Sequence, residues 1–166
     1  MRQTSEPITC SVSVRCEPDR AFEVFTGEMN SWWPVETHSR AASEYEDEEL
    51  KVERVEFQGI AGGRVLEHMS NGLVLPWGEV LVWEPPRRFV LAWKPHGRDQ
   101  PPTEVEVTFT AVSDGTDVVL VHRGWERLEA IPGDVARLYG NYAAGWIQTL
   151  SRFAEAANRD AVTRRL

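Results

Sequence analysis

A chain of 166 residues is long enough to bury one hydrophobic core and too short for two domains of ordinary size. Hydrophobic residues make up 42% and charged residues 27%, a balance that excludes disordered and fibrous classes. The formal net charge of -8 repels phosphate backbones and anionic lipid, so neither nucleic acid nor a membrane surface is expected as a partner.

The opening residues, MRQTSEPITC, lack the apolar stretch of a secretory signal. Apolar text from Leu73 to Trp93 is broken by Pro76, Glu79, Glu84, Pro85, Pro86, Arg87 and Arg88, so it reads as two strands and not as a membrane span of roughly twenty apolar residues. A cytoplasmic protein is expected. Cys10 and Cys16 would lie about 20 Å apart on an extended segment, too far for a disulfide, and no Cys or His spacing points to zinc.

In chain order, Ile8 to Arg15 alternates apolar and polar residues as a half-buried strand does. Pro18 suits a first helical turn, and Ala21, Phe22, Val24 and Phe25 form a short apolar helical face. Gly27 interrupts it, and Glu28 to Trp33 reads as a second short helix stopped by Pro34. Glu36 to Glu49 is acidic without periodicity, which predicts an exposed loop. Strands follow at Leu50 to Phe57 (with a bulge between Val52 and Val55), Arg64 to Met69, Trp77 to Trp83, Phe89 to Lys94, Thr103 to Val112 and Thr116 to Arg123. Their short connections predict an antiparallel meander. Asp134 is the expected N-cap of a long final helix to Asn158, with Leu138, Tyr142, Trp146, Leu150 and Phe153 on its apolar face.

Strand, two short helices, strand meander and long C-terminal helix together make an α+β helix-grip layout: a curved antiparallel sheet wrapped around the last helix. Local text strengthens the likeness. Ala21-Phe22, Trp32-Trp33-Pro34, Gly62-Gly63-Arg64, Trp77-Gly78-Glu79-Val80, Trp83-Glu84-Pro85-Pro86, Trp93, Gly115-Thr116, His122-Arg123-Gly124-Trp125 and Gly145-Trp146 stand in order. On these residues, from roughly Thr9 to Asn158, the chain resembles the bacterial single-domain branch of the activator of Hsp-90 ATPase homologue family, within the START-like SRPBCC superfamily. The resemblance implies one domain over residues 1–166, with its core at about 8–158, and a hydrophobic cavity between the sheet and the C-terminal helix. It implies little about the ligand.

His122 shares strand parity with Val118 and Leu120, so its ring faces the core, either as a hydrogen-bonded structural group or as an acid–base group. Glu67 and His68 fall on opposite faces of one strand, so at most one reaches the interior. Glu79 is the stronger carboxylate candidate, because it sits in apolar text between Trp77 and Trp83, where a buried acid needs a partner. Which face of that strand looks inward stays open. His38 and His96 fall in predicted loops and add no ligand spacing, so no metal is expected. Trp32, Trp33, Trp77, Trp93, Tyr142 and Trp146 come from separate regions that a helix-grip fold brings together, as an aromatic core or as the walls of a cavity.

No nucleophile or phosphate-binding motif is present. The expected function is therefore binding of a small apolar or aromatic molecule at Trp32, Trp33, Trp93, His122, Tyr142 and Trp146, without a cofactor. The alternative is a cavity enzyme of cyclase, dehydratase or hydrolase type using His122, Glu79 or Tyr142. A chaperone-binding role, after the family's name, ranks third. The oligomeric state is left open.

Overall fold

The computed structural model describes residues 6–35, 51–94, 101–128 and 132–165, with side chains described for 139–159 of the last stretch. The predicted acidic loop, His38 and His96 lie outside these residues, as do the side chains of Asp134 and Leu138.

Seven strands form one curled antiparallel sheet in the order β1-β7-β6-β5-β4-β3-β2. They are β1 (Ile8–Val14), β2 (Val52–Phe57), β3 (Arg64–Met69), β4 (Val74–Glu84), β5 (Arg88–Trp93), β6 (Thr103–Val112) and β7 (Gly115–Arg123). Strands β2 to β7 run as the meander that their short turns predict, and β1 closes the far edge by pairing with β7, Cys10 opposite Leu120. Period-two alternation sets the faces. Val105, Val107, Phe109, Val118, Leu120 and His122 are buried, while Glu104, Glu106, Thr108 and Arg123 lie on the outer face.

Register slips mark three places: Val52/Arg54, Val65/Leu66 and Val80/Val82. The first coincides with the bulge that the apolar phase predicts. Glycine is required beside the second. A Cβ on Gly78 would meet the Ala92 carbonyl oxygen at 2.1 Å, so the β4 and β5 backbones approach there as only glycine allows. Gly115 makes a similar approach to β1, where a Cβ would lie 1.9 Å from the Val14 carbonyl oxygen.

Two helices fill the concave face. Helix α1 (Pro18–Thr26) has Pro18 in its first turn and buries Ala21, Phe22, Val24 and Phe25. Phe22 and Phe25 meet Phe89 and Phe109 of the sheet, and Phe25 also meets Phe153 at a ring separation of 4.9 Å. The expected second short helix is a single 3-10 turn, Met29–Ser31. Only five residues, Met29 to Trp33, stand before Pro34, and the Trp32 and Trp33 N–H groups both donate back to the Met29 carbonyl, which closes the turn. Helix α2 (Pro132–Arg165) is longer than predicted and starts at Pro132, so Asp134 lies within it rather than capping it. Proline suits the first helical position because the missing N–H has no partner there to lose. Helix α2 runs along β1 and touches α1. Trp146, Leu150, Phe153 and Ala157 are buried on its inner face. Cys10 and Cys16 are not joined in a disulfide.

Candidate functional site

The interior beyond α1 is built mainly of indole. Trp77 comes from β4, Trp93 from β5, Trp33 from just past the 3-10 turn and Trp146 from α2. Trp33 is the hub: its ring centroid lies 4.8 Å from Trp77, 6.2 Å from Trp93, 6.0 Å from Trp146 and 5.8 Å from Trp32. Trp93 completes the contact with Trp77 at 6.1 Å and with Trp146 at 5.5 Å. All five rings are buried. Such tilted packing suits the ring quadrupoles and holds a large apolar surface in one place.

Each indole carries one N–H that must be satisfied inside, and five of the partners define the site's polar frame. Trp32 donates to the Val24 carbonyl at 2.7 Å, which ties the 3-10 segment back to α1. Trp125 donates to the His122 carbonyl at 3.0 Å. Trp93 donates to the Tyr142 hydroxyl oxygen at 3.0 Å, Trp146 to His122 Nδ1 at 3.0 Å, and Trp77 to Glu67 Oε1 at 3.1 Å.

His122 is fully buried, and its hydrogen bonds assign its proton. Indole nitrogen only donates, so Nδ1 must accept and the ring proton sits on Nε2. That N–H donates to Thr103 Oγ1 at 2.7 Å, and the threonine hydroxyl in turn donates to the Trp93 carbonyl at 3.3 Å. The neutral imidazole is thus a spacer joining α2 to β5 and β6, packed 4.3 Å from Trp125 and 4.9 Å from Tyr142. A general base needs a lone pair directed at its substrate, and here the Nδ1 lone pair receives Trp146.

Tyr142 is half-buried as a residue, with its hydroxyl end inside. Burial drives its ionisation far above the ordinary tyrosine range, and the bond from Trp93 recovers only part of that. It keeps its proton at neutral pH, as an acid or hydrogen-bond donor and not as a base.

The expected carboxylate is displaced by one strand. Glu79 is exposed on β4, opposite Arg64 and Ala92, and does not join the indole cluster. The inward acid is Glu67 on β3, whose side chain is fully buried between Val65 and Met69 along the strand. The register slip beside Gly78 hides this in the sequence, because parity cannot be carried across a bulge. The alternation of Val65, Glu67 and Met69 within β3 was the signal available. His68 points the other way and meets Glu56 at 2.8 Å, and that hydrogen bond holds the Glu56 carboxyl below its usual range.

The structure brings Trp32, Trp33, Trp93, His122, Tyr142 and Trp146 into one connected cluster of rings, joined by Trp77, and leaves Glu79 outside. Among the described residues, no three His, Cys, Asp or Glu side chains are grouped as a metal ion would need. No helix among them is long and apolar enough to cross a membrane.

A family profile described as Activator of Hsp90 ATPase homolog 1-like protein matches residues 15–158. Several solved structures share the fold. Protein MLL2253 from Mesorhizobium loti is 19% identical, with 93% of this chain and 98% of that one covered and a TM-score of 0.61. Protein CV1439 from Chromobacterium violaceum is 20% identical, with 92% and 96% covered and a TM-score of 0.62. An AHSA1-like protein from Aeromonas hydrophila is 17% identical, with 90% of each chain covered and a TM-score of 0.57. No curated protein matches the chain.

Proposed function

Because the chain belongs to the Activator of Hsp90 ATPase homolog 1-like family, we propose that it is a binding domain for a small, largely apolar or aromatic molecule held between the sheet and α2. One observation carries this reading: Trp33, Trp77, Trp93 and Trp146, from four separate segments, converge on the concave face with ring centroids 4.8–6.2 Å apart. A core of this size is ordinarily filled with aliphatic side chains, whereas flat polarisable walls with fixed N–H donors suit a flat guest. Trp32, Trp33, Trp93, His122, Tyr142 and Trp146 form the walls in this reading, with Trp77 added.

The enzyme reading draws less support. His122 has its Nδ1 lone pair committed to Trp146, Tyr142 is held protonated, and Glu79 lies outside the cluster. Chaperone binding rests on the family description alone, and stimulation of a chaperone ATPase by the purified protein would bring it forward.

Binding is tested with flavonoids, sterols, fatty acids and polyketide-like aromatics, by thermal shift and tryptophan quenching. A true ligand at a hundredfold excess over its dissociation constant stabilises the fold by about 2.7 kcal/mol and quenches the buried indoles. A panel in which no compound moves the melting point or the fluorescence would reduce the tryptophans to packing.

A further inference from the structure

Trp33, Trp77, Trp93 and Trp146 touch one another, so a guest enters among them only if one ring moves. Centroids 4.8–6.2 Å apart are contact distances for tilted aromatic pairs, and no further ring fits between them. Three of the four are fixed by the elements that carry them. Trp77 and Trp93 stand on β4 and β5, paired strands inside the sheet, and Trp146 lies within α2 and donates to His122. Trp33 differs, because it lies outside every helix and strand, between the 3-10 turn and Pro34. The turn before it is tied down: Trp32 donates to the Val24 carbonyl, and Asn30 Oδ1 accepts the Val55 N–H of β2 at 2.8 Å. The Trp33 N–H donates to the Met29 carbonyl at 3.0 Å and its own carbonyl accepts from Val35 at 2.9 Å, both within one short segment. Whatever its side chain touches, this ring can leave through a local change of dihedrals that unpairs no strand and unwinds no helix. It would vacate a slot one indole wide, bounded by Trp77, Trp93 and Trp146. The slot presents chiefly ring faces, and the polar groups behind Trp93 and Trp146 are the neutral His122 and the protonated Tyr142. A charged guest would give up water there without a matching partner.

Resting on the binding reading above, we infer that Trp33 holds the ligand's place in the free protein, and that the ligand is an uncharged fused aromatic of about indole size that displaces it. Trp33 is then the wall that yields, and the guest takes over its contacts with Trp77, Trp93 and Trp146. The fraction of molecules with Trp33 withdrawn sets the apparent affinity, because only those molecules offer the slot.

Indole itself is the probe. In the full chain labelled with fluorotryptophan, the seven indoles give separate fluorine signals, and Trp33→Phe, which keeps a ring in the slot, identifies that of Trp33. Saturating indole should make the Trp33 signal sensitive to exchange of water for heavy water, as an exposed ring is, while the other buried signals stay insensitive. Trp33→Ala removes the internal competitor, so calorimetry should show indole bound roughly tenfold tighter than by the wild type, or more. Indole-3-acetate, the same ring with a charge, should bind the wild type roughly tenfold more weakly than indole. A Trp33 signal that stays buried with indole bound overturns the displacement and leaves the binding reading in place. Weaker or unchanged binding by Trp33→Ala does the same, since it makes Trp33 a fixed wall. Indole-3-acetate bound as tightly as indole overturns the assignment of an uncharged ligand. If indole does not bind the wild-type protein, the displacement falls, and the binding reading then stands or falls with the wider panel. The wild-type spectrum decides the matter even if the alanine variant does not fold.

Discussion

A histidine with no solvent contact, bonded on both ring nitrogens, is better understood from its partners than from its own chemistry. Trp146 brings a donor-only N–H from α2, Thr103 brings a hydroxyl from β6, and the imidazole is the group that can accept from one and donate to the other. Substitution at Trp146 should separate the two components of this seam. Trp146→Phe keeps a ring but removes the N–H, leaving His122 Nδ1 buried without that donor, and should cost about 1–3 kcal/mol. Trp146→Ala also deletes the ring contacts with Trp33, Trp93 and Tyr142 and should cost about 3–5 kcal/mol. Urea unfolding of the two variants checks the order. Equal midpoints for parent and alanine variant would show that α2 is not gripped at this residue. His122 was legible in the sequence because β7 alternates without interruption from Thr116 to its end, so parity alone placed the ring inside. Its tautomer was not, because its two partners stand 19 and 24 residues away on other elements.

At the scale of elements, legibility followed regularity. Strand β6 as far as Phe109, strand β7 and the described inner face of α2 each obey one period, and their buried residues were readable by counting. Strand β4 does not: its apolar residues fall on both faces, and its register slips against β3 and against β5. This is why Glu79 was favoured on sequence and Glu67 is the acid found inside. The two short helices expected after β1 reduce to one helix and one 3-10 turn for a different reason, since Trp32 and Trp33 are held by aromatic contacts and a bond to α1 that no local propensity encodes. Gly78 is the point where these irregularities can be tested. Gly78→Ala would push a methyl group against the Ala92 carbonyl oxygen, a backbone atom in a paired strand that cannot rotate away. The expected loss is about 1–3 kcal/mol, the scale of overpacking a filled interior, measured by thermal or urea unfolding. Gly72 in the β3–β4 turn has open space around an added Cβ but a φ of 87°, so an alanine there should cost less and by backbone strain alone.

The molecule as a whole is acidic yet carries on its outer face a ladder of alternating charges across four neighbouring strands. Glu84 of β4 meets Arg88 of β5 at 2.7 Å. Arg88 also reaches Glu106 of β6, and Arg123 of β7 bridges Glu106 at 2.7 Å and Glu104 at 3.0 Å. These arginines decide the ionisation of the carboxylates. The hydrogen bond from Arg88 holds Glu84 below its usual range. At Glu106 burial pushes upward, and the bonds from Arg123 and Arg88 overcome it, so the result is again downward. A carboxylate whose folded pKa is lowered binds its proton more readily when unfolded, so it adds stability above its unfolded value. That stability disappears as pH falls from about 4.5 through the lower folded values. These pairs therefore contribute nothing to any change between about pH 5 and pH 7, and their loss belongs below that window. They are partly solvated, so salt should weaken them. Melting temperatures measured from roughly pH 3 to pH 7, at low and high salt, provide the test. The parent should fall steeply below the carboxylate range, and Glu106→Gln, which removes the shared centre of the ladder, should start lower and fall less. An acid slope unchanged by that substitution would assign the loss to other carboxylates, and the ladder would then serve only to keep the outer face of the sheet wet and its strands in register.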